Sequence, residues 1–180
     1  MKTALIIFAD GSEELEAVTI VNILRRAGIS VTLAGLTAGA LRGSRGVMLL
    51  PDTTLDLALK HNYDMVVLPG GQPGTNHLKA DARVLKLVQQ MAQQEKYVAA
   101  ICAAPSVLAT AGLLDGKRAT CFPTCLDNFP RVNLQAGAVV EDGKLITSRG
   151  PGTAMDFALI LVERLMGQAK RIEVEAGLQR

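Results

Sequence analysis

The stretch TALIIFADGSEELEAVTIVNILRRAGISVTLAG, residues 3–35, decides the architecture. Its opening apolar run, residues 3–9, is too short for a helix and is stopped by Asp10-Gly11, so it reads as a buried central strand followed by a turn. Ser12 is the expected helix N-cap, Glu13, Glu14 and Glu16 put negative charge in the first turn, and the helix runs to about Ala27-Gly28. Residues 29–35, ISVTLAG, supply a second strand. Strand, helix and strand in so short a span form a βαβ unit, which requires a parallel sheet and a right-handed crossover.

The unit recurs along the chain. Residues 47–51 read as a short strand after a Gly-rich turn, and DMVVLPGG at 64–71 as a buried strand ending in a glycine loop. Val84, Leu85, Leu87, Val88 and Met91 have the spacing of an amphipathic helix within residues 81–95, and residues 96–101 are the next core strand. Pro105 opens a helix expected to reach Leu114, because a proline in the first helical turn loses no needed N–H. A short strand at 118–121, a hairpin around Asp142-Gly143 within 138–148, and a final helix from about Gly152-Thr153 to Gly167 complete the reading. The expected fold is one α/β domain over residues 1–180, with helices on both faces of a mostly parallel sheet and a small hairpin.

Composition narrows the function classes. Hydrophobic residues make up 49% of the chain and aromatics only 3%, with no Trp, a palette suited to buried parallel strands built from Val, Leu, Ile, Ala and Met. The 19 basic and 17 acidic residues nearly balance and form no basic run, so no nucleic-acid footprint is expected. Apolar stretches of only about seven residues, and an acid already at Asp10, argue against a membrane span or a signal peptide. With three cysteines and no secretion signal, the expected compartment is a reducing cytoplasm.

In an open α/β sheet, ligands bind outside the carboxyl ends of the strands. That rule gathers three loops: Asp10 to Glu16, Pro69 to Gly74, and Cys102 to Pro105. Cys102, in AAICAAP at 99–105, reads either as a buried packing thiol or as a nucleophile on a strand-to-helix turn whose helix dipole favours thiolate. Each acid reads first as a solvated, dipole-complementing group; Glu13 and Glu16 share a helical side and Glu14 points elsewhere. A carboxyl aimed into the cleft would be desolvated, held protonated, and able to exchange a proton with the thiol. Gly70 and Gly71 are turn formers that also let backbone N–H groups approach an oxyanion. His77 is the histidine nearest the cleft side. Cys121 and Cys125 make a weak metal case and read as packing thiols, with Cys121 also a candidate to resolve oxidised Cys102. The segment SRGPGT at 148–153 reads as a turn or as an anion nest at a helix start, and no P-loop lysine follows its glycines.

Four separated motifs, ADGSEELEAV (9–18), VVLPGG (66–71), AAICAAP (99–105) and TSRGPGTAMDFAL (147–159), together resemble the DJ-1/ThiJ/PfpI superfamily, in its DJ-1/YajL-like branch. The resemblance spans essentially the whole chain and implies a flavodoxin-like α/β/α sandwich that forms a homodimer. It implies Cys102 as the reactive nucleophile and Glu16 as its protonated carboxyl partner. It places Gly71 and Ala103, with Gly70 beside them, at an oxyanion site, and Glu13, Arg26 and Arg45 near the dimer interface and active-site rim. Many relatives carry a histidine where this chain has Phe122, and the YajL-like members share its FPT.

The activity implied is a glyoxalase III that needs no cofactor and no metal, converting methylglyoxal or glyoxal to the hydroxy acid, or a deglycase acting on early glyoxal adducts. The partners implied are small reactive aldehydes or glycated substrates. A redox-responsive chaperone or sensor using the same thiol is the rival reading, and a cysteine peptidase a more distant third.

Overall fold

The computed structural model describes residues 1–179. In chain order the elements are β1 (Thr3–Phe8), α1 (Glu14–Arg26), β2 (Ser30–Gly35), β3 (Leu41–Arg42), β4 (Met48–Leu49), β5 (Thr53–Thr54), α2 (Leu55–Ala58), β6 (Met65–Leu68), α3 (Gly74–Ala80), α4 (Ala82–Gln93) and β7 (Tyr97–Ile101). There follow α5 (Pro105–Thr110), β8 (Arg118–Ala119), β9 (Asn133–Leu134), β10 (Val139–Asp142), β11 (Leu145–Ser148), a 3₁₀ turn at Pro151–Thr153, α6 (Ala154–Met166) and α7 (Gln168–Gly177). Seven strands form one sheet in the order β10-β11-β7-β6-β1-β2-β5. Every pairing in it is parallel except the β10–β11 hairpin.

Alternation along the strands splits the core between the two faces, because successive side chains of a strand point to opposite sides. Ala4, Ile6 and Phe8 of β1 pack with Ile20 and Leu24 of α1 and with Phe157 and Leu161 of α6. Leu5 and Ile7 face Leu55 of α2, Leu78 of α3, Val84 and Val88 of α4, and Val107 of α5. The result is one α/β domain with helices on both faces of the sheet, as the recurring βαβ pattern implied, and its three layers are the flavodoxin-like sandwich that the resemblance implied.

Several local expectations are corrected. Ser12 does not cap α1. Its hydroxyl instead accepts the Ala9 N–H at 3.1 Å, tying the turn back to the end of β1, and Glu13 takes the N-cap position without a side-chain bond. The helix after Cys102 stops at Thr110 because the backbone turns left-handed at Gly112, where φ is +76°. Gly167 ends α6 with φ +89°, and a further helix, α7, follows where none was expected. The segment around 47–51 pairs with Leu41–Arg42 as a two-stranded ribbon outside the main sheet.

Glu14, in the first turn of α1, anchors that ribbon. Its carboxylate accepts the Arg45 N–H at 3.0 and 3.1 Å and the Val47 N–H at 3.2 Å. These backbone bonds hold its carboxyl below the usual range although its burial opposes them. Gly43 lies so close that an added Cβ would strike the Glu14 side chain. Replacing Glu14 by Ala leaves two amides without their acceptor, and we expect Glu14→Ala to cost roughly 1–3 kcal/mol, read as a lower urea midpoint at unchanged m.

Candidate active site

The carboxyl ends of β1, β6 and β7 bring Glu16, the Gly70-Gly71 loop and Cys102 together. Cys102 has φ +64°, a left-handed conformation that a non-glycine residue adopts only where its surroundings hold it. Three backbone bonds hold this one. Cys102 N–H donates to Ser148 O at 2.9 Å, Phe122 N–H donates to Cys102 O at 2.8 Å, and Ala104 N–H closes the turn onto Ile101 O at 3.0 Å. Gly70 abuts the turn: a Cβ built on it would stand 2.6 Å from Cys102 Cβ and 2.9 Å from Ala103 N, so only glycine fits without moving the elbow.

All three acids near the start of α1 are buried, against their first reading as solvated charges. They divide the work among different partners. Glu13 accepts the Ser44 hydroxyl at 2.6 Å and lies 3.9 Å from the largely exposed Arg45 guanidinium, while Glu14 binds the 45–47 backbone. Glu16 is 0% exposed, and its Oε2 accepts the Gly70 N–H at 2.8 Å. Its Oε1 has no hydrogen-bond partner, and the Cys102 thiol lies close enough to the carboxyl to act on its proton affinity.

Burial pushes the Glu16 carboxyl up to about 7, with the nearby Glu13 charge adding to the rise and the Gly70 and Cys102 bonds opposing it. Burial likewise pushes the Cys102 thiol up to about 12, reinforced by the Glu16 carboxylate and opposed by the Gly71 and Ala103 N–H groups that point at the sulfur. The expectation that a helix dipole lowers this thiol is therefore corrected, since α5 has only six residues and desolvation beside a carboxylate outweighs its field. The two groups titrate as a pair. The proton that leaves sulfur has a neighbouring acceptor, and once Glu16 is protonated its repulsion of a thiolate disappears.

One further assignment changes, and another is narrowed. Gly70 was grouped with the oxyanion donors, but its N–H is engaged by Glu16 and its carbonyl accepts the Glu13 N–H at 2.8 Å, so the amides facing sulfur are those of Gly71 and Ala103. Gly71 has φ +83°, and a Cβ there would meet the Glu13 and Ser12 backbone. Arg26, expected at the dimer interface or active-site rim, stands away from Glu16 within its own chain. It ends α1, whose Glu16 lies near the other end, about 15 Å away at 1.5 Å per residue, and its Nε donates to Asn22 Oδ1 at 2.8 Å.

His77 is engaged elsewhere, its Nδ1 lying 2.9 Å from Asp10 O. His61 precedes β6, at the opposite end of that strand from Gly70. Phe122 and Pro123 face Arg149 and the Gly150–Thr153 turn across an open cleft of about 430 Å³. Both walls are tied to the Cys102 peptide, one through Phe122 N–H and the other through Ser148 O. The 148–153 segment is braced by Thr153 Oγ1, which contacts Ser148 Oγ at 2.7 Å and accepts the Gly150 N–H at 3.2 Å. Among the described residues, no three His, Cys, Asp or Glu side chains converge as a metal site. Ser44 and the loop-holding role of Glu14 escaped the sequence reading. Both depend on contacts between residues about thirty apart, and only the Gly-Ser-Arg-Gly stretch hinted at a tight approach.

Comparison with known proteins agrees with this geometry. Residues 2–164 match the DJ-1/PfpI family. Protein dj-1beta of Drosophila melanogaster is 46% identical over 98% of this chain and 96% of its own. Its crystal structure superposes with a TM-score of 0.96 at 45% identity, covering 99% of this chain and 97% of that one. A Caenorhabditis elegans protein named glutathione-independent glyoxalase DJR-1.2 is 33% identical over 94% of this chain and 91% of its own. With the fold, the strained cysteine turn and the buried Glu16 on the same sheet edge, these matches place the chain in the DJ-1/PfpI family.

Proposed function

We propose that the chain is a cofactor-independent glyoxalase III or deglycase-type enzyme that acts on methylglyoxal, glyoxal or their early adducts through Cys102. The observation that carries this reading is the fully buried Glu16 carboxyl beside the Cys102 thiol at the strained turn, with the Gly71 and Ala103 amides near the same sulfur. The worm relative named as a glyoxalase supports the choice of substrate.

The chemistry follows from the pair. Glu16 carboxylate takes the thiol proton as sulfur attacks the aldehyde carbon, forming a hemithioacetal, and the Gly71 and Ala103 amides that faced sulfur stabilise the new oxyanion. Glu16 then returns its proton to that oxygen and carries the C1 hydrogen, as a proton, to C2. C1 is oxidised and C2 reduced within one molecule, so no external oxidant or electron carrier takes part. The resulting thioester is hydrolysed by water, which frees Cys102 and the hydroxy acid.

A homodimer in the cytoplasm belongs to the same proposal. Leu15 and Val18 on the outer face of α1, and Val47 and Met48 on the ribbon held by Glu14, are all roughly half exposed beside the Glu13–Arg45 rim, a surface suited to a second copy. The rival reading, a redox-responsive sensor or chaperone, draws on the same two amides, which could equally hold the oxygens of an oxidised sulfur. A peptidase lacks support, since neither histidine accompanies Cys102.

Two outcomes test the enzyme. Cys102→Ser should reduce methylglyoxal consumption and lactate formation to background, and Glu16→Gln should lower kcat roughly 100-fold or more, because the amide cannot accept the thiol proton. Wild-type turnover equal to either variant would sink the reading and leave the sensor. The reactive form shares one proton across the pair, and a second proton binds as pH falls through the Glu16 value of about 7. We therefore expect kcat/KM to drop about tenfold per pH unit below that value and to level above it. An activity flat from pH 5 to 8, by the same assay, would assign the proton transfer to another group.

A further inference from the structure

The chemistry above leaves two thiols unused. Cys121 is 7% exposed and Cys125 is partly exposed, and they flank Phe122, Pro123 and Thr124 in the turn after β8. That turn is tight. Cys125 N–H donates to Phe122 O at 3.1 Å, and Thr124 has φ +70°, a left-handed conformation rarely taken by a β-branched residue. The reversal brings Cys125 back toward Cys121. The Cys121 sulfur lies near the backbone amides of Leu126 and Cys125 and within electrostatic reach of the Cys125 thiol. Cys125 in turn lies near the Lys79 ammonium of α3. Burial, together with the Asp127 charge near both, holds the two thiols above their ordinary range, while the amides at one and the Lys79 cation at the other favour the thiolate each would have to become.

We propose that Cys121 and Cys125 form a reversible intramolecular disulfide, a modification site distinct from Cys102, with low-molecular-weight disulfides as the oxidant. Cys125 is the more exposed and attacks first. Its thiolate displaces one thiolate from RSSR, forming a Cys125–SR bond, and the departing RS⁻ takes up the proton Cys125 lost. The Cys121 thiolate, with two backbone amides beside it, then attacks the Cys125 sulfur, breaking the bond to SR, and the departing RS⁻ takes up the proton Cys121 lost to leave as a second RSH. Two protein thiols are oxidised and one RSSR is reduced to two RSH, and excess thiol reverses both steps.

Cys102 is not the partner. Its sulfur faces Glu16, Gly71 and Ala103, and it is its backbone carbonyl that meets the 121–125 turn, through Phe122 N–H. The disulfide would close a small ring around Phe122, one wall of the cleft beside Cys102. The inference holds whether or not Cys102 turns over aldehydes.

The test uses the full chain carrying Cys102→Ser, so that only the two thiols in question remain. After incubation with glutathione disulfide, alkylation and peptide mass mapping, we expect both thiols to be protected, a Cys121–Cys125 linkage, and full recovery of free thiol with dithiothreitol. Adding Cys121→Ser should instead trap glutathione on Cys125. Phenylarsine oxide, which bridges two neighbouring thiols, should bind the reduced protein at one arsenic per chain and lose that binding with Cys125→Ser. Thiols that stay free, glutathione held separately on both cysteines, or wild-type protein linking Cys102 to Cys121 would each overturn the proposal. Because the central mapping is done with Cys121 and Cys125 intact, a variant that folds poorly does not affect it.

Discussion

The Glu16 carboxyl meets the Cys102 thiol where water cannot reach, and most of what surrounds them follows from the need to keep them there. A carboxyl at 0% exposure is costly to ionise, and that cost is visible as a value raised from 4.5 to about 7. The linkage has a definite sign. Between those values the folded chain holds a proton that the unfolded chain has released, so stability falls as pH rises from 4.5 toward 7, by roughly 3 kcal/mol in all. The fold bears this burden at neutral pH, which is the mark of a functional group rather than of a stabilising one.

The supports are arranged accordingly. The Gly70 N–H is committed to Glu16, which leaves Gly71 and Ala103 to face sulfur, and Gly70 must be glycine because the elbow presses against its α-carbon. Glu13 stays near enough to Glu16 to raise it while Ser44 and Arg45 attend to its own charge. Glu14, one residue on, holds the loop that carries both of those partners. Three acids in four positions thus serve a loop anchor, a rim ion pair and a proton acceptor, and no two are interchangeable.

Much of the frame was legible in the chain because it is written in local periods. Short apolar runs stopped by Asp-Gly or Pro-Gly-Gly mark parallel strands, and Pro105 marks the helix after the cysteine. The rule that ligands gather at the carboxyl ends of strands then brought Glu16, Gly71 and Cys102 to one edge. What stayed hidden depends on contacts between distant residues. Ser12 looks like a helix cap until the Ala9 amide is seen to donate to its hydroxyl, and Gly70 looks like an oxyanion donor until Glu16 claims its N–H from 54 positions away. The direction of the Cys102 shift was misread for the same reason: a dipole argument uses only neighbours in sequence, whereas burial and Glu16 are supplied by the fold. The nearness of Cys121 to Cys125 is local, yet it turns on a left-handed Thr124 that no propensity favours.

The proton shared between Glu16 and Cys102 is the centre of this account, and it can be watched directly. Carbon-13 NMR of the glutamate side-chain carboxyls, compared between the wild type and Glu16→Gln to assign the one signal, follows Glu16 as pH is raised from 4 to 9. The account predicts a Glu16 carboxyl that titrates near 7 and moves when Cys102 is replaced by Ser. A Glu16 signal that titrates near 4.5 and ignores the cysteine substitution would contradict it.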